Sequence, residues 1–68
     1  MQYKHLQARP RVLVNLLSGT SISGVIVSTR GPLLTIKGAV IHTAESGDTP
    51  ADGEIAVDKT QVDFIQMM

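Results

Sequence analysis

Val12 to Leu17 is an apolar run broken only by Asn15. Val12, Val14 and Leu16 fall on one face and Leu13, Asn15 and Leu17 on the other, the period-two signature of a strand. Ser18-Gly19-Thr20 supplies a turn, and the β-rich run Ser21 to Thr29 is predicted as the second strand. Gly24 interrupts that run, where it marks a sharp bend or the close approach of another backbone. Arg30-Gly31-Pro32 is the next turn. Leu33 to Thr43, divided by Gly38, reads as one bent strand or two short ones. Ala44 to Gly53 gathers nearly every turn-forming residue type and is predicted as an exposed loop. Glu54 to Asp58 forms a fourth strand, Lys59-Thr60 a tight connection, and Gln61 to Met67 a fifth strand. In that last strand Val62 and Phe64 share one face, Ile65 takes the other, and Phe64 is expected in the core. Residues 1 to 10 are polar with a weak helical spacing of Tyr3 and Leu6, and Pro10 ends any helix at or before Arg9. They are read as a short arm or helix preceding a domain over 11 to 68.

Short strands and glycine turns argue an all-β fold of five strands, and closing the sheet into a strongly bent small barrel hides its edges. A chain of 68 residues allows one domain with a very small core. No cysteine is present for a disulfide and no Cys/His cluster for zinc, so association with other chains is the remaining source of stability. The longest apolar runs fall well short of the roughly 20 residues that span a bilayer, and the opening Met1-Gln2-Tyr3-Lys4-His5 lacks the apolar stretch of a signal peptide. A cytoplasmic protein with no membrane partner is expected.

The net charge of zero conceals a split. Lys4, Arg9, Arg11, Arg30 and Lys37 occupy residues 1 to 37 with no acid among them, whereas Glu45, Asp48, Asp52, Glu54, Asp58 and Asp63 face Lys59 alone in the remainder. Such asymmetry can steer a partner, or bring the basic surface of one copy to the acidic surface of another.

The spacing of Val12, Val14, Leu16, Gly19, Gly24 and Ile26 resembles the first motif of the Sm-like small barrels: alternate apolar residues, then Leu-x-x-Gly, four residues, and Gly-x-aliphatic. Val57-Asp58-Lys59-Thr60-Gln61-Val62-Asp63-Phe64-Ile65 is similar to their second motif. The resemblance covers residues 11 to 66 and implies an Sm-like or SH3-like barrel whose last strand pairs with a neighbouring subunit, as in the rings of that family. It does not carry the family's RNA chemistry. Arg30-Gly31-Pro32-Leu33-Leu34 stands where RNA-binding members have an Asp and a polar pair, and Asp58-Lys59 replaces their Arg-Gly. More loosely, Gly31-Pro32-Leu33-Leu34, Asp52-Gly53-Glu54 and Val62-Asp63-Phe64-Ile65-Gln66 resemble segments of small actinobacterial phage proteins, which implies a capsid or connector component and a place in the virion.

The candidate sites are accordingly sites of protein association. Tyr3, Leu6, Arg9 and Arg11 in the arm, Asp48 and Asp52 in the acidic loop, and Phe64, Ile65 and Met67 in the last strand are expected to contact other copies or other structural proteins. The alternative, an RNA-binding ring, draws on Lys4, Arg30 and Lys37. A Ser/His/Asp hydrolase from Ser18 or Ser46 with His42 lacks a nucleophile elbow, and Glu45, Asp48, Asp52 and Glu54 do not match a calcium loop. No catalytic residue, metal, cofactor or small-molecule substrate is expected.

Overall fold

The computed structural model describes residues 11–68. The predicted arm, with Tyr3, Lys4, His5, Leu6 and Arg9, lies outside the described residues. The rest is all-β: β1 Val12–Leu16, β2 Ser21–Ser28, β3 Leu33–Thr43, β4 Gly47–Pro50, β5 Glu54–Asp58 and β6 Val62–Met67, with one 3-10 turn at Lys59–Gln61 between the last two. All ladders are antiparallel and join one sheet in the order β4-β3-β2-β1-β6, with β5 also paired to β3.

Two expectations are corrected here. Among the described residues the sheet has six strands and is not closed: β6 pairs with β1, and no ladder joins it to β4 or β5. The segment 44 to 53 is also not all loop. The end of β3 presents main-chain groups that need partners, and β4 supplies them, pairing Val40 with Pro50 and Thr43 with Gly47. Gly47, Asp48 and Pro50 are poor strand formers and Thr49 alone favours a strand, so it is this tertiary pairing that makes a strand of them.

The bend in β3 explains how one strand serves two partners. β5 pairs with Leu33 to Lys37, and β4 with Val40 to Thr43. Between them Gly38 adopts φ +61°, a left-handed conformation that costs other residues about 1–2 kcal/mol. Opposite Gly24 of β2, β3 carries one residue too many, so the register shifts between Ser23 and Val25. This bulge changes the parity of the strand. Leu34 and Ile36 face the core before it, and Ala39 and Ile41 after it.

The core face gathers Val12, Val14, Ile22, Ile26, Leu34, Ile36, Ala39 and Val57, with Leu16, Ile41, Ile55, Val62 and Ile65 packed around them. Each fully buried aliphatic side chain contributes about 1.5–3 kcal/mol. A Cβ on Gly24 would lie 2.5 Å from Ile36 Cγ2 and 2.9 Å from the Lys37 carbonyl oxygen. Glycine at this position is therefore a matter of close approach between β2 and the bent β3.

A second bulge corrects the reading of β6. Asn15 pairs with Phe64 but Leu16 with Val62, leaving Asp63 as the extra residue. Val62 and Ile65 thereby both reach the core face, although three positions apart. Phe64 is turned to the other face, where it is 49% exposed rather than in the core.

Candidate functional site

Across the outer face of the sheet, opposite the core, runs a stripe of polar side chains. The register aligns Asp48, His42, Ser21, Asn15 and Phe64 on successive strands, with Ser23, Leu13 and Gln66 in the adjoining row. Asn15 Nδ2 donates to Gln66 Oε1 at 3.2 Å, and the Ser21 hydroxyl donates to Asn15 Oδ1 at 2.9 Å. His42 Nδ1 lies 2.7 Å from Asp48 Oδ1, and its Nε2 lies 3.0 Å from Ser23 Oγ. An ionised carboxylate only accepts, so in the neutral imidazole Nδ1 carries the proton and Nε2 accepts from the Ser23 hydroxyl.

His42 thus joins a serine and an aspartate, but the serine is neither Ser18 nor Ser46. Ser23 is 6% exposed and stands mid-strand, paired with Leu13 on one side and Val40 on the other. It is not on a strand-to-helix elbow, which would offer its Oγ and neighbouring N–H groups to a substrate. What the contact does structurally is satisfy a buried hydroxyl and tie β4 to β2 over the top of β3. The stripe left a sequence signal, since Asn15, Ser21 and Ser23 are polar at alternate positions of otherwise apolar strands.

The basic candidates have separate settings. The Arg11 guanidinium donates to the Gly38 carbonyl at 3.3 Å and braces the bend of β3. Lys37 is exposed and opposite Glu54 of β5, and Arg30 is exposed in the β2–β3 turn. Lys59 Nζ donates to the Thr29 carbonyl, and its own amide to Pro32 O at 2.9 Å. Of the acidic candidates, Asp48 is engaged by His42, while Asp52 is exposed between β4 and β5. Asp58 caps the 3-10 turn: the Thr60 amide and the Thr60 hydroxyl donate to its Oδ1 at 2.9 and 2.8 Å and hold its carboxyl below the ordinary aspartate value.

No protein-family model matches this chain, and no curated protein does.

An open cleft of about 360 Å³ lies between the β1–β2 turn (Ser18, Gly19, Thr20) and the β3–β4 turn (Thr43 to Ser46). Its lining is small and polar, with Glu45 its one charge. The larger feature is the edge formed by β6. Phe64 and Met67 are about half exposed and Met68 is 70% exposed, while Ile65 packs inward against the core. Of the association candidates in the last strand, Phe64 and Met67 therefore offer side chains. Ile65 offers its backbone.

Among the described residues no helix is long and apolar enough to cross a membrane, and no group of three His, Cys, Asp or Glu side chains is placed to hold a metal ion.

Proposed function

We propose that this domain is a non-enzymatic assembly subunit, an open variant of the Sm-like small barrels, which associates with copies of itself through the edges of its sheet. The observation that carries the reading is the outer edge of β6, which has no partner strand among the described residues and is flanked by the exposed apolar side chains of Phe64, Met67 and Met68. An unpaired strand presents a row of N–H and C=O groups that invites another strand. The small core supports the same reading, since association adds burial to a domain of 68 residues whose own core is limited.

The test is a mass measurement on the full chain over a concentration series, by light scattering or native mass spectrometry. A multiple of 7.3 kDa is expected. A monomer persisting into the high micromolar range overturns the reading. The setting we propose for such a subunit is a phage particle, supported by the looser resemblance of its segments. Capsid or connector genes beside this one are the expected observation, and their absence removes the setting while leaving the assembly.

A further inference from the structure

We infer that the association runs through β6 alone, as an antiparallel pairing of β6 with β6 of a second copy about a two-fold axis at Gln66. This rests on the assembly reading above and specifies its edge, its symmetry and its register.

The choice of edge follows from how each is protected. β4 is four residues long, ends in Pro50 and holds Asp48. β5 carries Glu54 and Asp58 at its two ends. Both are guarded by devices that discourage strand addition, namely brevity, proline and charge. In β6 the only charge is Asp63, at the bulge, and Phe64 to Met68 is an uncharged run. Pairing β6 with β5 of a neighbour would set Asp63 on a strand flanked by two more acids, with no cation on either. Pairing β6 with itself through residues 64 to 68 brings no charged side chain into the ladder.

The register follows from the direction of the main chain. The Met68 amide donates to Arg11 O and the Leu17 amide to Gln61 O, whereas the Leu16 amide donates across to Thr20 O. Odd-numbered residues of β1 therefore turn their main-chain groups toward β6, and even-numbered ones toward β2. With Asn15 opposite Phe64 and Leu13 opposite Gln66, it is Phe64, Gln66 and Met68 that bond inward. Ile65 and Met67 direct their N–H and C=O groups away from the sheet.

The antiparallel register that uses both residues on both copies places Ile65 opposite Met67 of the second copy and centres the axis on Gln66. Two reciprocal pairs of main-chain hydrogen bonds result. The same register sets Phe64 beside Met68 of the second copy on the outer face, and Met67 beside Ile65 on the core face. It covers the three exposed apolar side chains of this edge in one step.

The chain contains no cysteine, so a single introduced one reports the geometry. Across the axis the two copies of residue 66 form a non-hydrogen-bonded pair with Cα atoms about 4.5 Å apart, within disulfide reach. Full-length Gln66→Cys under mild oxidation is expected to give a covalent dimer near completion, and Ala56→Cys on β5 is not. Met67→Pro removes an amide that faces away from β1 and leaves the intramolecular ladder intact. It should weaken the dimer about tenfold or more through its two symmetry-related copies. If the chain associates but a cross-link forms only when Gln66→Cys and Ala56→Cys are combined, the pairing is head-to-tail. That result overturns this inference while the assembly reading stands. If the wild-type chain stays monomeric and Gln66→Cys does not cross-link, both fall.

Discussion

Replacing Gly24 by alanine tests whether β2 and the bent β3 approach as closely as the fold requires. The added methyl would lie 2.5 Å from Ile36 Cγ2, 2.9 Å from Lys37 O and 3.3 Å from Ala39 Cα. Two of these neighbours are backbone, and Ile36 is fully buried, so none can step aside into open space. With two contacts under 3.0 Å the overpacking belongs at the upper end of the usual range, about 3 kcal/mol, offset by about 0.4–1 kcal/mol for the narrower unfolded ensemble of alanine. A net loss of about 2 kcal/mol is expected. For a domain of this length that lowers the unfolding midpoint by about 8–16 °C, a large share of a total stability of about 3–10 kcal/mol. Gly38→Ala is the contrast. There the methyl meets only Arg11 Nη1 at 4.0 Å, and the strain of φ +61°, about 1–2 kcal/mol, less the same unfolded-state offset leaves a net cost of about 1 kcal/mol. Thermal and urea unfolding followed by far-ultraviolet circular dichroism measures both. A Gly24→Ala midpoint equal to wild type with an unchanged urea slope, or one less perturbed than Gly38→Ala, refutes the packing argument.

Ile36→Ala, at a fully buried position of β3, should cost about 2–5 kcal/mol in urea unfolding and bring the domain near its unfolding threshold. His42→Ala leaves the covered Ser23 hydroxyl without its partner and frees β4, so amide exchange at Thr49 should accelerate more than at Ile22, with a global loss of about 1–3 kcal/mol. Phe64→Ser should change monomer stability by less than about 1 kcal/mol, since half its side chain is in solvent, while lowering the association seen by light scattering. Asp58 is held below its ordinary value by Thr60, so its contribution is fully present above about pH 4 and fades as pH falls through the lowered value. Asp58→Asn should accordingly be less stable than wild type at neutral pH. The two stability curves should converge in acid.

Much of this fold was legible because period-two patterning is a local property. Val12, Val14 and Leu16 face inward as alternation predicts; of the two roles open to Gly24 the close approach is observed, and of the two readings of Leu33 to Thr43 the single bent strand. What the pattern could not convey was pairing and parity. The run Gly47-Asp48-Thr49-Pro50 becomes a strand because β3 lies beside it, a fact with no trace in those four residues. Strict alternation puts Phe64 on the face of Val62 and so in the core, and the single extra residue Asp63 reverses the outcome. The polar stripe was visible only as scattered Ser and Asn. Its joining to His42 and Asp48 depends on the register of four strands. The need to hide edges argues for barrel closure, yet among the described residues the outer edge of β6 has no partner strand.

The division of labour along β3 also bears on how such a chain can diversify. Because its two halves are served by separate short strands, the connection at Asp52-Gly53 can be cut or lengthened while Val40↔Pro50 and Lys37↔Glu54 remain joined. A peptide graft spliced between those two exposed residues would ride on the surface as a passenger. The domain offers a built-in socket through which new recognition can be acquired without rewriting its interior.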